Sequence, residues 1–312
     1  MAGNCFLTII IPIFNCCDKL PENMERLLRV EAKDIEILLI DDGSTDGTGA
    51  LCDALAEDAR VRVLHQANAG AAAARNAGLA AATAEYVTFL DADDVLLSGA
   101  LAALTEAIGT ADAAQGRIVR EDPETYHEKC VLLNGREALA AALRDPTRHL
   151  LCHGWLFRRA LLTERFDEAL TLGEDAEWML RTLRHAGEAV FTQTPVYRYT
   201  LRRDSALRSH TGASEAYLRM LGRAEANLAL LDMPQETALF RLSHLLLMLT
   251  HDDSADAGSL RESAPFAADF ARVRLRGLAP RMLTLRLLRQ RRYVLVRGIV
   301  RLRRWMNRMA AV

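Results

Sequence analysis

The chain has 312 residues, 50% of them hydrophobic and 26% charged, with six cysteines and a net charge of −2. That is enough to bury a full core, as one large domain or as a domain with an appendage. A membrane-spanning helix is not expected, because no uninterrupted apolar stretch reaches the roughly 18 to 20 residues required and the nearest, residues 239–250, is broken by Arg241 and His244. The cysteines contain no C-x-x-C pair, and the adjacent Cys16 and Cys17 are poorly placed to bridge each other. Neither a zinc site nor a disulfide framework is therefore expected, and a reducing cytoplasm is the default compartment. The apolar start from Cys5 to Cys17 has no basic n-region and no A-x-A site, and reads as a first strand rather than an export signal.

Residues 8–11 form a short apolar strand ending at Pro12, and residues 35–40 form a second ending at Asp41. Between them, residues 20–30 repeat apolar side chains at Met24, Leu27 and Leu28 behind Pro21, which suits a first helical turn. A helix over 48–58, a strand over 61–64 and an alanine-dominated helix over 71–84 follow, the last of high intrinsic propensity. This alternation predicts a mostly parallel sheet covered by helices, with ligands outside the carboxyl ends of the strands. Beyond residue 115 the pattern loosens: helices over 135–143, 159–164 and 174–185, and a strand over 189–193. From about residue 215 the reading is helical, interrupted by a polar loop or boundary over 251–258.

The junction YVTFLDADD at residues 86–94 carries the most chemistry. Its β-branched and aromatic start is too short for a helix and reads as a buried strand. Spaced by two on an extended segment, Asp91 and Asp93 share one face, where two anions repel unless a hard cation sits among their oxygens. Taken alone, the pattern equally suits solvated carboxylates or a cap for a helix starting near Leu97.

Four blocks share one explanation: IIIPIFN at 9–15, EILLIDDGSTDGT at 36–48, NAGAAAARNAG at 68–78 and FLDADD at 89–94. In this order and spacing they closely resemble the family 2 glycosyltransferases, and the resemblance continues in GEDAEWMLRTL at 173–183 and VYRYTLRRDSALRS at 196–209. It implies an α/β GT-A fold, Rossmann-like, with a mostly parallel sheet flanked by helices and a helical C-terminal extension. The implied division is a GT-A domain over 1–215, with a nucleotide-sugar half over 1–115 and an acceptor half over 116–215, followed by a helical region over 216–312. The implied activity is that of an inverting, metal-dependent enzyme of the hexosyltransferase type using Mn2+ or Mg2+. It moves a sugar from a nucleoside-diphosphate donor, UDP foremost, to a hydroxyl of a glycan or lipid-linked acceptor in cell-surface polysaccharide synthesis.

Pro12 and Phe14 can pack on a flat base, and Asp41 or Asp42 can accept a hydrogen bond from a base ring N–H; the resemblance favours Asp42, while both also suit the start of a Gly-Ser-Thr turn. Asn15 and Ser44 are grouped with them at the nucleotide. Arg75 can neutralise a diphosphate from within the alanine helix, or be an ordinary solvated arginine, and Gly70 and Gly78 allow close backbone approach. By resemblance Asp93 coordinates the metal, and Asp91 contacts the ribose or supports the metal. Asp175 is the implied catalytic base, with Glu174 beside it at the donor; both open an amphipathic helix and would also serve as ordinary caps. Trp178 reads as a sugar-stacking platform or as core. Tyr197, Tyr199, Arg202, Arg203 and Ser205 resemble a tyrosine-containing strand and a loop that closes over the donor diphosphate, whereas His210 reads as solvated. The segment CHGWLFRR at 152–159 lacks the lysine that many relatives carry after a tryptophan, which weakens inference about the acceptor.

From Phe270 onward there are thirteen arginines and no acidic residue, so with −2 overall the preceding part carries −15. On a helix, Arg297, Arg301, Arg304 and Arg308 fall on one face and Leu295, Ile299, Leu302, Met306 and Met309 on the other. Such a helix suits peripheral contact with the anionic inner face of the plasma membrane, or docking on the acidic body or a second subunit. Nucleic acid is not expected, since Tyr293 and Trp305 are the only aromatic residues among these last helical arginines. Rival readings are a nucleotidyltransferase or dehydrogenase on a related sheet, or a non-catalytic sugar-nucleotide or membrane adaptor. No G-x-G-x-x-G follows the first strand, which disfavours a dinucleotide site.

Overall fold

A computed structural model describes residues 6–29, 34–119, 130–200, 212–252, 254–264, 266–275 and 280–309. In chain order the strands are β1 (Leu7–Ile13), β2 (Ile35–Asp41), β3 (Val61–His65), β4 (Tyr86–Phe89), β5 (Val95–Leu96), β6 (Ala113–Val119), β7 (Cys130–Asn134), β8 (Trp155–Arg158) and β9 (Glu188–Arg198). The helices are α1 (Leu20–Leu28), α2 (Thr48–Leu55), α3 (Ala71–Ala81), α4 (Ala100–Ile108), α5 (Gly135–Arg144), α6 (Pro146–His149), α7 (Glu174–Leu183), α8 (Ala213–Ala229), α9 (Pro234–His251), α10 (Ala257–Glu262), α11 (Phe266–Arg272), α12 (Pro280–Arg289) and α13 (Tyr293–Met309).

One sheet runs in the order β3-β2-β1-β4-β8-β6-β9-β5, with β7 also on β9. The first four strands pair in parallel, as the alternation predicts. Of these, β1, β2 and β4 are almost wholly buried and read as near-continuous apolar runs: every residue of β2 is buried, and Ile9, Ile10, Ile37 and Leu38 are wholly so. Each such aliphatic side chain contributes roughly 1.5–3 kcal/mol by leaving water. Helix α3 lies close on this sheet because its residues are small; a Cβ on Gly78 would sit 2.3 Å from Ile10 Cγ2. The close approach expected at Gly78 is thus between helix and strand rather than with a ligand.

The second half of the sheet is mixed. Strand β8 runs antiparallel to both β4 and β6, β6 is parallel to β9, and β5 and β7 are antiparallel to β9. Here the sequence reading needs correcting. Residues 159–164 hold only a 3-10 turn, Arg159–Leu161, the strand expected over 189–193 extends through Arg198, and α4 starts at Ala100, after β5. Strands β6, β7 and β8 were not foreseen, because runs such as AAQGRIV and WLFR lack strand periodicity and take their conformation from pairing with β4 and β9.

The chain divides into two compact units. The first comprises Met1–Ala138, Leu151–Ala169 and Trp178–Thr200; the second comprises Leu139–Leu150, Leu170–Glu177 and Leu201–Val312. In the second unit α9 is buried nearly all round, and α6, α8, α10, α11, α12 and α13 contact it. The polar interruption expected over 251–258 falls between α9 and α10. The two residues that broke the apolar run in α9 are both satisfied. Arg241 donates to Asp269 from Nε at 2.7 Å and Nη2 at 2.8 Å, and pairs with Glu225 at 3.2 Å. His244, 2% exposed, is hydrogen-bonded through Nδ1 to the Phe240 carbonyl at 2.8 Å.

Two stability tests follow from this packing. Gly78→Ala should cost about 1–3 kcal/mol by forcing α3 off β1, read as a lowered urea midpoint; an unchanged midpoint would refute the close contact. Burial pulls the His244 imidazole down to about 4 from 6.5. The unfolded chain therefore takes up that proton at higher pH than the folded one, and stability falls as pH drops from about 6.5 to about 4. The slope approaches about 1.4 kcal/mol per pH unit, and His244→Leu should flatten it.

Candidate active site

The carboxyl ends of β1, β2 and β4 carry the polar residues of the first unit. Beyond β1, Pro12 is half-buried and Phe14 is 50% exposed. Asn15 takes a left-handed conformation, φ 47°. Its backbone N–H donates to Ser44 Oγ at 3.0 Å, and its Oδ1 accepts from Thr45 N–H at 2.8 Å, so the loops after β1 and β2 are stitched together.

Both aspartates after β2 are buried. Asp41 Oδ1 accepts from Ser44 N–H at 3.1 Å, and Oδ2 pairs with His65 Nδ1 at 2.8 Å. Burial raises the Asp41 carboxyl, but Ser44 and His65 outweigh it and hold the group below its ordinary range. Asp42 is 3% exposed and accepts from Gln66 Nε2 at 2.7 Å, Ala69 N–H at 2.8 Å and Gly70 N–H at 2.8 Å. Its first task is to pin the loop ahead of α3. Since a carboxylate offers about four acceptor positions, room for one further donor remains.

The acidic junction also differs from expectation. Strand β4 stops at Phe89, and the Asp94 N–H donates to the Asp91 carbonyl at 3.0 Å, closing a turn. Asp91 and Asp93 therefore do not lie on an extended segment, and the two-residue alternation does not apply to them. Asp91 Oδ1 accepts from Arg75 Nη2 at 3.2 Å and Oδ2 pairs with His153 Nε2 at 2.9 Å. Burial opposes ionisation of Asp91, yet the positive charges of His153 and Arg75 prevail and lower it. Arg75, 4% exposed, has its guanidinium 5.6 Å from the Phe166 ring centre. Of the two readings of Arg75, the ordinary solvated arginine does not hold: the side chain is buried and pairs with Asp91. Asp93 is partly exposed on the same turn.

Asp94, 1% exposed, is pushed up to about 8, first by burial and then by the charge of Asp91. Its Oδ2 accepts from the Tyr197 hydroxyl at 2.7 Å and its Oδ1 from Thr200 N–H at 2.7 Å. The Tyr197 oxygen in turn accepts from the Asp91 N–H at 3.3 Å. The turn is therefore tied to the end of β9. His153 and Asp94 were missed as site residues from sequence; three successive carboxylates needing compensation were the available signal.

Trp178, read as a sugar platform or as core, is core. It is wholly buried, stacks on Phe166 at 4.3 Å and 11°, and donates from Nε1 to the Glu164 carbonyl at 2.9 Å. Asn76, adjacent to Arg75, fixes the same region by donating to the Phe166 carbonyl at 2.9 Å and accepting from the Phe166 N–H at 2.8 Å.

Glu174 and Asp175 belong to the second unit. They open α7 after Gly173, whose φ is 77°, and both are partly exposed. Asp175 Oδ1 accepts from the Ala176 N–H at 2.8 Å. Helix α8 approaches this corner, because a Cβ on Gly173 would lie 3.0 Å from Met220 Cγ. One turn earlier on α8, Tyr217 hydrogen-bonds His251 Nδ1 at 3.1 Å; burial, then the charges of Asp175 and Glu174, raise its hydroxyl above the ordinary range. Arg202, Arg203, Ser205 and His210 lie outside the described residues.

Among the described residues no cluster of three His, Cys, Asp or Glu side chains forms a metal cage. A hard divalent ion held by one or two carboxylates plus substrate phosphates needs none, and the oxygen donors of Asp93 and Asp91 fit that class.

Parallel strands delivering carboxylates and an exposed aromatic ring to their carboxyl ends make this an α/β protein whose polar groups gather where open sheets of this class bind ligands. A sequence profile described as glycosyl transferase family 2 matches residues 8–166. Glycosyltransferase GlyG of Streptococcus pneumoniae is 42% identical over 109 residues, 34% of this chain and 36% of that protein. The succinoglycan biosynthesis protein ExoO of Rhizobium meliloti is 30% identical over 245 residues, 68% of each. The chain matches only 36% of the length of GlyG, 60% of EpsJ of Bacillus subtilis and 64% of YibD of Escherichia coli. Among solved structures, S. aureus TarS 1–349 in complex with UDP-GlcNAc matches with TM-score 0.68 and 18% identity over 96% of this chain and 92% of that one. The mannosyltransferase PcManGT from Pyrobaculum calidifontis, in complex with GDP-Man and Mn2+, matches with TM-score 0.52 and 18% identity over 98% and 85%. The chain belongs to glycosyl transferase family 2 and has the GT-A type of fold.

Tyr197→Phe should release the carboxyl of Asp94 and the Asp91 N–H together, costing about 1–3 kcal/mol. A drop of several degrees in melting temperature is expected; no change would mean that the tie between the acidic turn and β9 bears no load.

Proposed function

We propose that the protein transfers a sugar, with inversion, from a UDP-sugar to a hydroxyl of a glycan or lipid-linked acceptor in cell-surface polysaccharide synthesis. The observation that carries this reading is the acidic turn Asp91–Asp94 at the end of β4, within the family match and on the same strand-end edge as Phe14 and Asp42. Support for the donor class comes from TarS, solved with UDP-GlcNAc, and PcManGT, solved with GDP-Man and Mn2+. Support for the pathway class comes from ExoO, a succinoglycan biosynthesis protein.

On this reading residues 1–115 hold the donor, residues 116–215 complete the acceptor side and residues 216–312 form a helical region. Pro12 and Phe14 pack on the base, the remaining acceptor position of Asp42 takes its ring N–H, and Asn15 and Ser44 shape the loop beside it. Asp93, with Asp91 held in place by Arg75 and His153, binds Mn2+ or Mg2+; the bound ion supplies positive charge to the diphosphate. Asp175 accepts the proton of the acceptor hydroxyl as that oxygen attacks the anomeric carbon from the side opposite the diphosphate, which inverts configuration. On the same reading, donor recognition falls to Glu174 and phosphate binding to Arg202 and Arg203. The enzyme works from the cytoplasm at the inner face of the plasma membrane.

A thermal-shift panel of UDP, GDP, CDP and dTDP, each with and without Mn2+, tests the donor site. UDP with Mn2+ should raise the melting temperature by a few degrees at about 100 times its dissociation constant, and Asp93→Ala should abolish the rise. Asp175→Asn should preserve that shift while lowering kcat by about 10²–10⁴-fold. If no nucleoside diphosphate shifts the protein, the donor reading falls; if turnover survives Asp175→Asn, the base assignment falls alone.

A further inference from the structure

Over residues 293–302, whose side chains are described, the buried side of α13 takes in only part of the apolar face that its sequence period suggests. Val296 is wholly buried and Ile299 and Val300 are half-buried, on the side that contacts α9, α10 and α12. Arg297 pairs with Asp256 at 3.3 Å while remaining 60% exposed, and Arg291 just before the helix pairs with Glu262 at 3.1 Å. The helix is thus already docked on its own unit. Even so, Val294 is 82% exposed, Leu295 56% and Leu302 57%. At 3.6 residues per turn, these three share an arc of about 160° with Arg297, Gly298 and Arg301, and both arginines are exposed as well. A docked helix therefore leaves outward a band of aliphatic side chains flanked by cations.

We propose that this band is a membrane-binding surface, and that its occupant is the anionic face of a lipid bilayer. Charge complementarity chooses the occupant. Arg297 and Arg301 are the exposed cations beside the band, and no acidic residue occurs in the chain from Phe270 onward, so an anionic partner is favoured here. A two-fold dimer through this face fails that condition, because it sets the same patch against itself and brings arginine against arginine. A single-stranded nucleic acid would call for aromatic platforms, and the exposed band here is aliphatic. A bilayer meets both requirements at once: aliphatic side chains enter the acyl boundary while the guanidinium groups stay at the headgroups. This deepens the reading of a lipid-linked acceptor, yet it stands on separate observations and is tested without turnover.

The test is co-sedimentation of the full chain with vesicles of phosphatidylcholine alone and of equal phosphatidylglycerol and phosphatidylcholine. Circular dichroism melting serves as the folding control. Wild type should partition at least about tenfold more strongly onto the anionic vesicles and be released by 0.5 M salt, where the screening length is roughly half its physiological value. The double variant Leu295→Asp/Leu302→Asp, with an unchanged melting curve, should lose at least about tenfold in partitioning, and Arg301→Ser should weaken it while leaving the salt response shallower. The proposal fails if wild type ignores anionic vesicles, or if the double variant binds them as well as wild type does. It also fails if light scattering shows a dimer that the double variant abolishes, or if polyuridylate displaces the protein from vesicles completely. Loss of nucleotide binding or activity would leave this result untouched, whereas failed partitioning would leave the donor site untouched.

Discussion

Unshared negative charge in a half-buried place is the constraint around which the first unit is arranged. Carboxylates lie at the carboxyl ends of β2 and β4, and water is largely absent from three of them, Asp41, Asp42 and Asp94. Each is compensated differently. Asp42 takes two backbone N–H groups and an amide, Asp41 takes a backbone N–H and an imidazole, and Asp91 stands between an imidazole and a guanidinium. Asp94 instead keeps its proton into the neutral range and relies on a phenol and a backbone amide. Removing one partner from such a group costs far more than the bond itself was worth, because the charge or dipole is left behind.

These devices also explain why the loops at the strand ends hold their shape. Asp42 fixes the approach to α3, Asn15 and Ser44 clip the first two loops together, and Tyr197 joins the acidic turn to the far half of the sheet. Order at this edge is therefore hydrogen-bonded rather than apolar, while the apolar core lies beneath it in β1, β2 and β4. Pre-organised polar groups of this kind need little rearrangement when a charged ligand arrives.

Much of this was legible in the sequence, for identifiable reasons. The parallel half declared itself through uninterrupted runs such as IEILLID, and the motif order carried the family. What escaped was set by partners distant in the chain. Nothing near Trp155 or Ala113 announces a strand, since β8 and β6 are strands only because β4 and β9 lie alongside. The two readings of Arg75 and of Trp178 stay open in the sequence because their partners, Asp91 sixteen positions away and the Phe166 ring, are invisible to helical periodicity. The basic tail was legible as amphipathic, but which apolar residues face inward depended on α9, α10 and α12.

The second unit is not a contiguous stretch: it recruits Leu139–Leu150 and Leu170–Glu177 from within the span of the first, so the chain passes between units five times. During synthesis the segment bearing Glu174 and Asp175 emerges well before α8 and α9, whose Met220, Tyr217 and His251 pack around that corner or beside its neighbours. A ribosome-bound chain released at residue 200 would own every strand of the mixed sheet and an unsupported acidic corner. No cut at a single peptide bond frees the second unit whole, because Leu139–Leu150 and Leu170–Glu177 stay with the N-terminal fragment when the chain is cut after Thr200.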